Sequence, residues 1–291
     1  MQEIKEIKIT DKDYPEAIKK LSDAPKVLHF RGILPKPDEI CVAVVGTRRP
    51  SSYGEQTALQ ITGELVNAGI TVVSGMAPGI DTFAQKTCVE RGKRTIAVLG
   101  SGIDESAMYP QENVELSRQI VKHGGCLISE YAPTMPGMPH QFPARNRLVV
   151  ALSAGVLVVE AKEKSGSLIT ARLANEQHKK LFAVPGPIYT LNSKGPNKLI
   201  KAGATLTESA QDILDVLGIE KSHNFHSREN LSTIDNPHEA AVFAALQEGS
   251  LYIDAIIAKT KLSAPIVGST LPFIEISGKV RNLGGNTYAI S

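Results

Sequence analysis

The residues of this chain best suited to chemistry are arginines, hydroxyls and one aromatic ring, each in a segment that holds a glycine or a proline. In Val44-Val45-Gly46-Thr47-Arg48-Arg49-Pro50-Ser51-Ser52-Tyr53-Gly54 an apolar run ends in a basic turn that reads as leading into a helix. A guanidinium there can bind phosphate oxygens with its planar fork and stack its face on a base. The other reading of Arg48 and Arg49 is an ion pair with an acidic neighbour. A second segment, Ser74-Gly75-Met76-Ala77-Pro78-Gly79-Ile80-Asp81, resembles a phosphate-cradling turn around Ser74, Gly75 and Gly79. It has neither the GxGxxG order nor a Walker lysine and hydroxyl pair, and Asp81 reads as a helix cap or a group fixing the turn.

The third segment, His140-Gln141-Phe142-Pro143-Ala144-Arg145-Asn146-Arg147, follows the rigid Met-Pro-Gly-Met-Pro. Arg145 and Arg147 would supply phosphate contacts, Asn146 a base-edge donor and acceptor, and Phe142 a stacking face. The alternative puts Phe142 in the core and uses the arginines to tie a loop to a sheet. In the fourth, Val159 to Ala171, a buried run meets Ser165-Gly166-Ser167-Leu168-Ile169-Thr170. Backbone N–H groups near Gly166 and Ser167, with the Ser167 and Thr170 hydroxyls, would hold a phosphate at a helix N-terminus; ordinary capping by Ser165 or Ser167 is compatible with that. The chain contains no HExxH, no GxSxG elbow and no cysteine with an evident base, so no catalytic group, cofactor or metal site is expected.

These turns need a scaffold that brings them to one rim. From Ile40 onward the chain repeats a pattern of apolar strand, small residue and helix. The strand candidates are 40–46, 70–75, 95–100, 126–130, 155–161 and 181–186. Continuous apolar strands with helices between them predict an α/β, Rossmann-like, doubly wound and mainly parallel sheet. Ligands of such sheets bind beyond the carboxyl ends of the strands, where all four turns fall. Residues 1–39 read as an accessory segment, 40–218 as the sheet domain and 219–236 as a polar linker. Residues 237–291 read as a small winged-helix-like domain of three helices and a terminal hairpin.

The 32 basic and 30 acidic residues leave a net charge of +2, so a polyanion would need a local patch. Aromatics are 5% of the chain and tryptophan is absent, which favours phosphate contacts over a long stacking platform. No run of apolar residues is long enough for a membrane span, and the charged start lacks the apolar block of a secretion signal, so a cytoplasmic protein is expected. The three cysteines are widely spaced in apolar surroundings and read as buried thiols.

Taken in order, VGTRRPSSYG, SGMAPGID, AVLGSGIDESAMYPQEN, ISEYAP, FPARNRLVVALSAGVLVVEAKEKSGSLITARLA, FAVPG and SKGPNKLIKAGA resemble the DNA-processing protein A (DprA/Smf) family over about residues 40–218. The resemblance implies a Rossmann-like domain that binds single-stranded DNA, forms a homodimer, and helps load the recombinase RecA during natural transformation (competence). It carries the family's turn arginine onto Arg48, its FPxRNR block onto Phe142, Arg145, Asn146 and Arg147, and its SGSL block onto Gly166, Ser167 and Leu168. Gln111 and Pro78 stand where members often carry basic residues, which implies a less basic pocket; Gln85 stands where a histidine is usual, so no base is expected there. The competing reading is a nucleotide-processing enzyme resembling the LOG-type phosphoribohydrolases. The stretch EAKEKSGSLITA keeps their phosphate nest and lacks the glutamate of their PGGxGTxxE loop.

Overall fold

The structure, a computed structural model, describes residues 3–219, 236–247, 249–276 and 279–290. They fall into two compact units, one up to Lys221 and one from Ser222. In the first unit the apolar runs form β3 (Cys41–Val45), β4 (Thr71–Ser74), β5 (Thr95–Val98), β6 (Cys126–Ser129), β7 (Gly155–Val158) and β8 (Lys180–Ala183). Two further strands, β1 (Lys5–Lys8) and β2 (Val27–Gly32), precede them, and a two-residue strand, β9 (Thr205–Leu206), follows. All nine share one sheet in the order β1-β2-β6-β5-β4-β3-β7-β8-β9. The stretch from β6 to β9 is parallel, whereas β2 is antiparallel to both β6 and β1.

The helices between the strands are α1 (Glu16–Lys19), α2 (Ser52–Asn67), α3 (Ile80–Glu90), α4 (Val114–Lys122), α5 (Gln141–Ala151), α6 (Gly166–Glu176), α7 (Lys194–Lys201) and α8 (Ala210–Leu217). Both faces of the sheet are covered, which is why its central strands are apolar without alternation. On one face Cys41, Ala43 and Val45 of β3 pack with Leu148 of α5 and Ala171 of α6; on the other, Val42 and Val44 pack with Ile61 of α2, Ala84 of α3 and Ile213 of α8. Burial pushes the thiols of Cys41, Cys88 and Cys126 up to about 12.

The sequence reading separates residues 1–39 from the sheet domain, but β1 and β2 within that segment extend the same sheet. Ile7, Tyr14, Ile18 and Leu28 are buried in the core that contains β3, β6 and β7. Alternating charge in β1 hides this, because an edge strand buries only part of one face: Ile7 is its buried residue. The link from this segment into β3 is pinned by Glu39, which accepts from Arg94 Nε at 2.6 Å and from Thr71 Oγ1 at 2.5 Å. Arg94 also donates to the carbonyls of Ile33 and Gly124.

Burial would raise the Glu39 carboxyl, but the bonds from Arg94 and Thr71 and the Arg94 charge outweigh it and hold it below its ordinary 4.5. A carboxylate with a depressed pKa stabilises the fold above its unfolded pKa, and loses that contribution as pH falls through the folded one. Glu39→Gln is therefore expected to cost about 1–2 kcal/mol at neutral pH, discounted for partial exposure. The gap between wild type and variant should close on acidification below about pH 4. Urea midpoints measured across that range check it; a gap constant with pH would remove the ion pair as its source.

In the second unit α9 (Pro237–Leu246), α10 (Ile253–Thr260) and α11 (Ala264–Ile276) pack with a three-stranded sheet. That sheet runs β10 (Leu251–Tyr252), β12 (Thr287–Ile290), β11 (Val280–Gly284), the winged-helix arrangement expected. Val242, Leu246, Ile256, Val267, Leu271, Val280 and Tyr288 form its separate core. The β11–β12 turn uses Gly284, Gly285 and Asn286, all with positive φ. Of the expected linker 219–236, only its two end residues are described. Among the described residues no helix is long and apolar enough to cross a membrane.

Candidate nucleic-acid interface

A cavity of about 380 Å³ opens at the carboxyl ends of β3 and β4 and is walled by α5 and the start of α6. Thr47, Arg48, Gly75, Phe142, Arg145, Asn146, Gly166, Ser167 and Thr170 line it, so nine of the thirteen residues singled out from the sequence meet at one site. The floor is rigid. Thr47 N–H donates to the Glu160 carbonyl at 2.7 Å, and Ile80 N–H donates to the Thr47 carbonyl at 3.2 Å. Gly79 has φ +84°, and a Cβ there would lie 2.4 Å from the Thr47 oxygen, so only glycine lets the start of α3 lie against the arginine turn. Met76, itself at positive φ, is held by Gln85, whose side-chain oxygen accepts the Met76 N–H at 3.1 Å. Gln85 also donates to the Ile96 carbonyl at 3.1 Å, which gives it a structural role.

The turn projects Arg48 and Arg49 outward; both are exposed, and among the described residues neither guanidinium is in an ion pair. The Arg48 guanidinium carbon sits 5.7 Å from the centre of the Phe142 ring, a cation–π distance. That ring is half-buried. A Cβ on Gly100 would come within 2.7 Å of it and one on Gly137 within 2.9 Å, and the Tyr109 ring meets it at 5.3 Å between centres. Phe142 thus stands at the cavity wall, packed against Gly100, Gly137 and Tyr109, and belongs to none of the buried core clusters among the described residues.

The FPARNR block lies in α5 rather than in a turn, and helical phase sorts its residues. Phe142, Arg145, Asn146 and Val149, spaced three or four apart, share the face on the cavity. Arg147 lies round the helix and pairs instead with Glu130 and Asp23, each at 2.7 Å, so it ties α5 to the N-terminal segment. The same phase carries Gly166, Ser167 and Thr170 to the cavity, while Leu168 packs against the core. Ser74 is fully buried and donates its hydroxyl to the Val44 carbonyl at 2.7 Å; its neighbour Gly75 lines the cavity.

Arg145 is only 4% exposed, and its donors turn inward to the carbonyls of Gly75 and Val98. A Cβ on Gly75 would fall 2.3 Å from its guanidinium, which accounts for the glycine. Burial pushes Arg145 down to about 10, against the upward pull of Asp81, so it stays charged at neutral pH. Asp81 is buried beside it and accepts the Gly75 N–H at 3.0 Å. Burial raises its carboxyl, and the Arg145 charge opposes the rise.

Sequence reasoning missed Lys162, exposed on the β7–α6 turn and lining the cavity, and the organising role of Glu160. The Glu160 carboxylate is 2% exposed. It accepts from Ser51 N–H at 2.9 Å, Ser51 Oγ at 2.6 Å and Asn192 Nδ2 at 3.1 Å, joining three turns. The available signal was a carboxylate at the end of an otherwise apolar strand, where burial demands partners. Gln111 and Pro78 do not line the cavity; Gln111 closes its own turn by donating to the Glu105 and Met108 carbonyls. The rim is cationic through Arg48, Arg49 and Lys162, and the α6 N-terminus, capped by Ser165, adds its positive dipole end. Such a site suits a phosphate-bearing ligand with a planar group.

The chain matches the family model described as DNA recombination-mediator protein A over residues 5–218, and the DprA winged helix domain over 227–286. It is 42% identical over 219 residues to the DNA processing protein DprA of Bacillus subtilis, covering 74% of this chain and 72% of that one. The structure of DprA from Streptococcus pneumoniae superposes with a TM-score of 0.68 at 38% identity, covering 74% of each chain. That of DNA processing protein A from Helicobacter pylori, described for its single-stranded DNA binding mode, gives 0.64 at 32% identity over 75% of this chain and 98% of that one. The two family-model matches, the 42% identity to the Bacillus subtilis protein and the matching sheet together place this chain in the DNA recombination-mediator protein A (DprA/Smf) family.

Proposed function

We propose that the first unit binds single-stranded DNA in the cavity between the arginine turn and the starts of α5 and α6. The observation that carries the reading is the Arg48 guanidinium, exposed, outside any ion pair among the described residues, and set against the Phe142 ring. A phosphate would sit between Arg48, Arg49, Lys162 and the α6 N-terminus, with a base against the aromatic wall. Support comes from the Helicobacter pylori relative, described as binding single-stranded DNA. Within the second unit, α11 has no lysine or arginine to offer a groove, which favours the first unit as the principal strand-binding surface.

The bound strand would be protected and handed to the recombinase RecA by a cytoplasmic homodimer during natural transformation, as the family resemblance implies. Binding without turnover is supported by the state of Asp81, the acidic residue among those lining the cavity. Its carboxyl is engaged with Gly75 and faces Arg145 instead of standing free as a base.

Fluorescence anisotropy with a labelled oligothymidylate and a duplex of equal length, at two salt concentrations, tests the proposal. Preference for the single strand, with affinity falling as salt rises, is expected. Equal affinity for duplex would overturn it, and release of free base from a nucleoside monophosphate would restore the enzymatic reading.

A further inference from the structure

We infer that the loop joining β8 to α7 carries a second stacking position for the strand, with Tyr189 as its platform. The inference rests on the strand-binding reading of the cavity and extends its footprint beyond the residues that line it.

Tyr189 is 91% exposed, and Ile188 and Leu191 beside it are each 65% exposed. A cluster of three such side chains is costly in water and marks a contact surface. Looseness does not explain the exposure, because the loop is tied down at both ends. Tyr53 Oη donates to the Pro185 carbonyl at 2.8 Å, the Asn197 side chain donates to the Gly186 carbonyl at 2.9 Å, and Ala161 N–H donates to the Asn192 carbonyl at 2.7 Å. Asn192 and Ser193 are buried beneath it. The backbone that carries Tyr189 is held in place before any ligand arrives, which limits the ordering cost of binding.

The loop is continuous with the cavity rim. β3, β7 and β8 are parallel neighbours, so their carboxyl ends follow one another at about 5 Å intervals. Asn192 Nδ2 bridges the Arg49 carbonyl and the Glu160 carboxylate, both at 3.1 Å, and so fixes the loop to the arginine turn itself. Charge selects the occupant. Arg49, Lys162, Lys164 and Lys194 on the adjoining turns are exposed and in no ion pair among the described residues, set against one exposed acid, Glu163, in the β7–α6 turn, whose other acid, Glu160, is buried and engaged by Ser51 and Asn192. Cations flanking an exposed ring are the pattern that holds phosphates while a base stacks, and only a single strand has a base free to do so. A strand leaving the cavity past Arg49 would therefore place a following base on Tyr189.

Affinities of the full chain for labelled oligothymidylates of about 4 and about 16 nucleotides, a cavity-filling and an extended strand, test this. Tyr189→Ala is expected to weaken the longer strand about tenfold and leave the shorter one unchanged, with Tyr189→Phe like wild type. Equal affinities of Tyr189→Ala and wild type for the longer strand would overturn the extension alone. Failure of wild type to bind either length would remove the cavity reading and the extension with it. Sedimentation of the same variants separates the remaining occupant: if Tyr189→Ala lowers the assembly mass, the patch is a contact between copies and the inference is wrong.

Discussion

Arg48→Ala is expected to weaken single-strand binding about thirtyfold, near 2 kcal/mol, and leave the melting temperature unchanged. The two halves of that expectation follow from one geometry. The backbone of the turn is fixed by its own contacts: Thr47 to Glu160, Ile80 to Thr47, and Gly79 packed beneath it. The Arg48 side chain contributes none of these; it reaches the rim and meets Phe142. Truncation removes a phosphate contact without opening the core. The slope of log affinity against log salt should fall by about 0.7, the share of one phosphate on a single strand. Arg48→Lys should recover the slope and only part of the affinity, because it keeps the charge and loses the planar fork and its stacking on Phe142. Anisotropy titrations at several salt concentrations read both quantities. A variant that binds normally would make the turn a structural element and move the ligand elsewhere on the rim.

The opposite outcome is expected one helix away. Arg145→Met should destabilise the first unit by about 3–5 kcal/mol, lowering its melting temperature by roughly 10 °C. Methionine fills much of the volume but removes the positive charge that opposes the raised pKa of the buried Asp81 carboxyl, and it leaves the Gly75 and Val98 carbonyls without their donor. Much of the cost comes from leaving those polar groups unpaired in the interior. Replacing both members, Arg145→Met with Asp81→Leu, should therefore recover part of the loss, despite the Gly75 N–H that Asp81 now accepts. Calorimetry of the two single variants and the double variant measures the coupling. A double variant no more stable than Arg145→Met would show that packing, not the unpartnered Asp81 carboxyl, carries the effect. Affinity loss in Arg145→Met is to be read only at temperatures where the variant is folded, since its donors are engaged with the protein.

Arg48 stands one residue from Arg49 and Arg145 two from Arg147, and the chain alone does not rank these neighbours. What it determined was the type and order of the elements. Strands buried on both faces have no freedom to alternate, so runs such as Cys41–Val45 and Gly155–Val158 announce a covered parallel sheet without reference to anything distant. Glycine, proline and hydroxyl residues after them announce turns, because local backbone geometry and capping select those types. Together these signals place four basic or hydroxyl-bearing turns at one end of the sheet, and nine of the residues named from them do meet in the cavity.

Tertiary structure decided which neighbour faces the ligand. Arg145 and Arg147 differ by two positions, yet helix phase sends one into the floor and the other to Glu130 and Asp23. Leu168 and Ser74 were separated from the cavity in the same way, by the side of helix or strand on which they fall. Residues 3–39 joined the sheet because β2 found the open edge of β6, a pairing between segments about a hundred residues apart that no local pattern records. The exposed loop around Tyr189 likewise takes its position from Asn192 and Glu160, which lie far apart in the chain. Local sequence encodes what an element is, since burial and backbone preference act within a few residues; where a side chain points depends on the register at which distant elements pack, and only the folded chain sets that.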